Sequence, residues 1–155
     1  MLLDNAIARR LFHFGALALR GMTLGVRGAA FDEVGRVCLV RHTYVAGWHL
    51  PGGGVEVGES AAEAMLREFR EEAELAVAPE ALRLRGFYRN LAGSSRDHVA
   101  LYVAEAATRL REKAPDREIA ACAYFPLDAL PEGTTRGTAA RLREIRDGLD
   151  PAAHW

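Results

Sequence analysis

Residues 52–75 read GGGVEVGESAAEAMLREFREEAEL: three glycines, a short loop, then a run crowded with glutamates. Ser60 stands three residues before Glu63, the S-x-x-E pattern of a capping box, which satisfies backbone donors in a first helical turn. The helix therefore starts at Ser60 and runs to about Ala73. At ~100° per residue, Ala62, Met65, Leu66, Phe69 and Ala73 share one core-facing stripe. Glu68, Glu71 and Glu72 share another sector, because Glu71 and Glu72 follow Glu68 by three and four positions. Carboxylates so placed repel one another, and they lie late in the helix, where the macrodipole disfavours anions. Arg67 precedes Glu71 by four residues and is placed to pair with it; Arg70 is the other cation of the segment.

A solvated acidic face is the plain reading of a glutamate-rich helix. The glycine loop that runs into this one favours a different reading, since it offers backbone carbonyls and close approach. Carboxylates, carbonyls and water are an oxygen-only donor set, which suits Mg²⁺ or Mn²⁺. The loop is not a phosphate-cradling P-loop, because no GK[ST] follows it.

Working outward, MTLGVRGAAFD (22–32) and RVCLVRH (36–42) are β-rich runs, with Asp32-Glu33-Val34-Gly35 predicted as a hairpin turn between them. Further strands are predicted near 82–90, 98–105 and 119–125, and a last helix over 136–147 with Gly148 and Pro151 beyond it. Leu3, Ile7, Leu11, Phe14 and Ala18 recur at helical spacing. Residues 1–20 are thus expected to form an amphipathic helix packed on the domain or on a partner subunit, with 21–155 as a single mixed α/β domain. The apolar run 11–19 contains a histidine and falls short of the ~20 residues that cross a bilayer, so neither a signal peptide nor a membrane span is expected.

A net charge of -1 over 155 residues argues against a general nucleic-acid or membrane-surface binder, so a polyanionic ligand must be met locally, by metal or a few arginines. Cys38 and Cys122 form no CxxC pair and sit in apolar runs, as buried free thiols do. A reduced, cytoplasmic setting is expected.

The stretch resembles the signature of the Nudix hydrolases, G-x5-E-x7-R-E-U-x-E-E-x-G-U, where U is a bulky aliphatic. Gly53, Glu59, Arg67, Glu68, Glu71, Glu72 and Leu75 fall on it with the right spacing. The flanks TLGVRGAAFD, VCLVRH, W-x-LPGGG and AYFPLDALP are also similar to the family, so the resemblance spans roughly 22–131. Two positions depart: Phe69 stands at an aliphatic position, and Glu74 stands where the family has glycine for a left-handed helix exit. The resemblance implies a Nudix-type α/β/α sandwich with a mixed β-sheet. It also implies a Mg²⁺- or Mn²⁺-dependent hydrolase, with two or more ions when substrate is bound, cleaving the pyrophosphate of a nucleoside diphosphate linked to another moiety.

In those terms Glu71 and Glu72 are the expected principal metal ligands, with Glu68 and the Gly52 carbonyl completing the shell. Arg67 orients Glu71 or Glu68, and Glu59 anchors the loop to the helix. The general base is either a box glutamate or a later carboxylate, Glu118 or Asp97. Arg27, Arg41 and Gly53 are candidates for substrate contact, as is Arg89. His42 and His49 flank the site, and Trp48, Tyr44, Phe87 and Tyr88 are aromatic candidates for stacking on a base. The expected partner is a small-molecule nucleoside diphosphate derivative, with no stable nucleic-acid binding and a homodimer built through the N-terminal helix. A non-catalytic ligand-sensing Nudix domain is the alternative, and a prenyl-diphosphate isomerase is a third reading that lacks a well-placed catalytic cysteine.

Overall fold

The computed structural model describes residues 10, 12–17, 21–92 and 94–155. The predicted N-terminal helix lies mostly outside them. Residues 12–17 are helical, and Phe12, Phe14 and Leu17 there are exposed.

From residue 21 onward the elements run β1 (Thr23–Ala30), β2 (Val37–His42), β3 (Trp48–His49), α1 (Ala61–Ala73), β4 (Leu75–Ala76), a 3-10 turn (Pro79–Ala81), β5 (Leu82–Asn90), β6 (Asp97–Ala104), β7 (Thr108–Arg109), β8 (Ile119–Phe125) and α2 (Arg136–Arg146). One sheet has the order β1-β6-β5, with β1 parallel and β5 antiparallel to β6; another has the order β3-β2-β8; β4 and β7 form a small third pair. Asp32–Gly35 is a turn, but not the predicted hairpin. An antiparallel Phe31–Val37 bridge and the Asp32 N–H to Arg36 O bond at 3.0 Å close it, but the ladder stops there, because β1 pairs with β6. The turn is held by Asp32 Oδ1, which accepts the Val34 and Arg36 N–H groups, so it needs no long ladder behind it.

The alternation of side chains across a strand builds two cores. Val26 and Ala30 of β1, Cys38 and Val40 of β2, and Ala100 and Tyr102 of β6 meet Met65 and Phe69 of α1. Ala29, Val37, Leu39 and Leu101 point the other way and meet Leu142 of α2. Helices on both faces of one mixed and one antiparallel sheet make the α/β/α sandwich that the family resemblance implies. A register shift between Leu84 and Gly86 flips β5 midway, so that Leu82 serves the α1 core and Tyr88 the α2 core although both numbers are even. Cys38 and Cys122 are free, with their sulfurs 3.5 Å apart across β2 and β8.

Helix α1 begins as the sequence predicts, with both halves of the Ser60–Glu63 capping box formed. Its buried face is turned from the predicted stripe. Ala64, Met65, Glu68, Phe69, Glu72 and Ala73 are buried, and Ala62 and Leu66 only half so. The buried arc takes in two glutamates because part of it faces the glycine loop rather than the apolar core. The helix exits through Glu74 at φ 54°, ψ 41°, the left-handed conformation usually given to glycine. Glu74 is retained there by Arg111 at 2.8 Å and by its carbonyl, which accepts the Leu110 N–H.

Candidate active site

The PGGG bend is laid against β1 by backbone hydrogen bonds: Gly28 N–H to Pro51 O, Val26 N–H to Gly53 O and Val55 N–H to Leu24 O, at 2.8–2.9 Å. Contact requires Gly52 and sets Gly53 close against the Glu68 carboxylate. A Cβ on Gly52, where φ is +148°, would come within 2.0 Å of Val26 O, and one on Gly53 within 2.4 Å of Glu68 Oε1. Arg27 clamps the bend from β1, donating from Nη1 to Gly52 O at 2.8 Å and to Leu50 O at 3.1 Å.

Against this bend stands the acidic face of α1. Arg67 is its hub: Nη1 donates to Glu68 Oε1 (2.7 Å) and Glu71 Oε2 (3.2 Å), while Nη2 and Nε hold the two Glu59 oxygens at 2.8 and 3.2 Å. Nη2 also reaches Gly54 O at 3.1 Å, which fastens helix and loop together. The environment sorts the carboxylates. Arg67 and the Glu56 N–H pull Glu59 below the usual carboxylate range. Burial pushes Glu68 up, with Arg67 pulling the other way. The Arg67 guanidinium, ringed by carboxylates, is held more firmly protonated than usual.

Glu72 lies deepest, and both its oxygens are engaged. Oε2 accepts the Gly52 N–H at 2.8 Å, and Oε1 lies 2.8 Å from His42 Nε2. A carboxylate in this pair can only accept, so Nε2 carries the proton; His42 Nδ1 is then buried without a partner. His42 reaches α1 because it shares the β2 face of Cys38 and Val40. That parity was readable in the sequence, but the partner 30 positions away was not. At the helix end, Lys113 donates to Glu71 O at 2.8 Å and to Asp116 Oδ2 at 2.5 Å, placing a cation where the macrodipole is negative.

The other predicted residues divide. Arg27 and Gly53 line a cavity of about 540 Å³ together with His49, Gly54, Asn90, Asp97, Thr135, Gly137 and Trp155. Asp97 is tied to Thr23 (2.9 Å) and Asn90 (2.7 Å). Arg41 and Glu118 are not among the lining residues. Arg41 lies over the Trp48 ring at 5.6 Å, on the β2 face opposite the one that carries His42 to Glu72. Glu118 is exposed just before β8, its carbonyl accepting the Thr43 N–H beside His42. Arg89 is exposed on β5. Of the aromatic candidates, Tyr88 is buried, Trp48 packs on Phe125 and Phe87 stacks on His98. Tyr44 is exposed beside His42. Burial lowers the His49 pKa, and its Nε2 donates to Ala46 O at 3.0 Å.

Among the described residues no three His, Cys, Asp or Glu side chains converge as a metal group. The donor chemistry nevertheless fits a hard divalent cation. Glu68, Glu71, Glu72 and the Gly52 carbonyl offer oxygen donors only, and their present partners are hydrogen bonds from Arg67, His42, Arg27 and a backbone amide.

The NUDIX domain family model matches residues 22–145. The chain belongs to the Nudix family, and it is a Nudix pyrophosphohydrolase acting on a nucleotide-linked substrate. Among solved structures it is similar to a MutT NUDIX hydrolase from Burkholderia pseudomallei, at 26% identity over 79% of this chain and 97% of that one, with a TM-score of 0.67. It is similar also to an ADP-ribose pyrophosphatase from Streptococcus suis, at 28% identity over 86% and 95% of the two chains and a TM-score of 0.62. A MutT protein from Bacillus halodurans shares the fold at 18% identity, with 80% and 82% covered and a TM-score of 0.67. No curated protein matches the sequence. Among the described residues no helix is long and apolar enough to cross a membrane.

Proposed function

We propose that the protein hydrolyses the pyrophosphate bond of a small nucleoside diphosphate joined to another moiety: a nucleotide sugar, an ADP-ribose-like compound or a nucleoside triphosphate. The observation that carries this reading is the glutamate set of α1, pinned by Arg67 and His42 beneath a glycine bend whose Gly53 opens on a 540 Å³ cavity. The similarity to an ADP-ribose pyrophosphatase supports the substrate class. Glu68, Glu71, Glu72 and the Gly52 carbonyl would hold Mg²⁺ or Mn²⁺. Bound there, the ions would neutralise the phosphates and acidify the attacking water. Arg67 keeps Glu68 and Glu71 on one side of the helix, and Arg27 fixes the Gly52 carbonyl within the bend. Glu118 stays a candidate base, supported by its place beside the Thr43–His42 strand end, and Asp97 is the other. The two free thiols support a reduced, cytoplasmic setting, and the exposed Phe12, Phe14 and Leu17 support a homodimer.

The test is a panel of nucleoside diphosphate and triphosphate substrates assayed with Mg²⁺ and with Mn²⁺, beside Glu71→Gln and Glu72→Gln. Each substitution is expected to lower kcat by about 10²-fold or more with the fold intact. A double variant as active as the parent removes the ligand assignment. Tight binding of a nucleotide that is never turned over would turn the reading to a ligand sensor.

A further inference from the structure

The segment 149–155 is built into the fold with more machinery than a loose tail requires. It runs beside β5, where the Arg89 N–H donates to Ala153 O at 2.9 Å and the Trp155 N–H to Arg89 O at 3.0 Å. Buried Glu144 of α2 accepts the Ala152 N–H at 3.2 Å, Arg141 Nη2 at 2.6 Å and the Tyr88 hydroxyl at 3.0 Å. Buried Arg141 donates in turn to His154 O at 2.5 Å, and its guanidinium lies 4.5 Å from the Tyr88 ring centroid. Burying an ion pair costs desolvation, so this network is an expensive way to secure seven residues unless their position matters.

What it positions is Trp155. The indole is half-buried and meets Tyr88 edge-on, with centroids 5.6 Å apart at 86°. It lies against Gly137 so closely that a Cβ there would fall 2.4 Å from Nε1. Trp155 also lines the cavity that Arg27, Gly53 and Gly54 line. Trp48, Phe87 and Tyr88 are committed to packing, which leaves Trp155 as the one Phe, Tyr or Trp ring among the residues lining that cavity; the other ring there, the smaller His49 imidazole, is held by its hydrogen bond to Ala46 O. Asp97, held by Thr23 and Asn90, adds a fixed acceptor to the same lining.

We infer that Trp155 is the stacking platform for the substrate's nucleobase, so that the segment 149–155 is a specificity element of the site. This rests on the proposed nucleotide substrate and adds where its base is read. An indole face binds any base by stacking and has no comparable hold on a sugar phosphate.

The chain has two tryptophans, so Trp48→Phe leaves Trp155 as the only indole reporter. In that background AMP, GMP, CMP and UMP are titrated, with ribose 5-phosphate as the base-free control. At least one nucleotide is expected to quench Trp155 fluorescence while ribose 5-phosphate does not. By calorimetry on the otherwise unaltered chain, Trp155→Ala should weaken that nucleotide at least about fivefold, the low end of base–aromatic stacking, and Trp155→Phe should hold it within about threefold. For any nucleotide substrate turned over, Trp155→Ala should raise KM by a similar factor and leave kcat within about threefold. Binding unchanged in Trp155→Ala, equal quenching by ribose 5-phosphate, or no nucleotide binding to the parent overturns the inference. Hydrolysis with unaltered KM in Trp155→Ala would sink the base platform and leave the hydrolase reading standing. Base-dependent binding with no hydrolysis would do the reverse.

Discussion

Replacing His42 by leucine tests whether the deepest carboxylate of the site depends on a single strand residue. The side chains of His42 and Glu72 are 2% and 8% exposed and share a 2.8 Å hydrogen bond. Leucine fills similar space and donates nothing, leaving Glu72 Oε1 buried beside an apolar group while Oε2 keeps the Gly52 N–H. Stranding one side of a buried, charge-assisted hydrogen bond costs about 2–3 kcal/mol. For a domain of this size that is a fall in Tm of roughly 4–12 °C. The assay is urea and thermal unfolding in EDTA, beside His42→Gln, Glu72→Leu and the His42→Leu/Glu72→Leu double variant. Glutamine returns a donor and should recover part of the loss. The double variant removes the stranded charge and should be more stable than the sum of the single changes implies, by about 1–3 kcal/mol of coupling. Repeating the unfolding with Mg²⁺ should restore more stability to His42→Leu than to the parent, because a cation would replace the missing donor on Glu72. A loss below ~0.5 kcal/mol in EDTA with no coupling refutes the reasoning, since Glu72 would then not need His42.

Glu74 and Asp116 give two further expectations. At the left-handed Glu74, Glu74→Gly and Glu74→Ala lose the same side chain, but only glycine relieves the backbone; Glu74→Gly should be the more stable by about 1 kcal/mol in urea unfolding, and equality would rule out strain at the exit. Asp116 is held down to about 2 from 3.8 by the Ile119 N–H, Lys113 and the Glu118 N–H. A depressed carboxylate contributes stability that is fully present above 3.8 and fades as pH falls through about 2. The parent should therefore lose stability between these values more steeply than Asp116→Asn, and identical acid limbs in the two titrations would remove the Lys113–Asp116 strap from the account.

Local spacing made much of this site legible. Glu68, Glu71, Glu72 and Arg67 lie within six residues, so helical geometry alone puts them side by side, and the Ser60 box fixes where that helix starts. Contacts across the sequence were not legible in the same way. Arg41 and His42 are neighbours, yet alternation sends the first over Trp48 and the second onto Glu72, and only the partner strands decide which face is which. Trp155 offered no local signal at all, because its role depends on Arg141, Glu144 and Tyr88 closing around residues that carry no periodicity.

The tertiary contacts also divide three carboxylates that the sequence presents as equivalent. Glu68 and Glu72 have side chains 10% and 8% exposed; Glu72 is held by the Gly52 N–H and His42, and Glu68 by the 2.7 Å bond from Arg67. Glu71 is 60% exposed and holds only the 3.2 Å end of the Arg67 fork. Exposed ion pairs of this kind contribute little, so Glu71 can exchange its partner at small cost while Glu68 and Glu72 cannot. Under the proposed metal-dependent reading, buried, held carboxylates would suit a fixed frame and the solvated Glu71 would suit a ligand that recruits and releases a cation. Equivalence in sequence thus becomes a division of labour through a single geometric fact, the depth to which each turn of α1 sinks beneath the glycine bend.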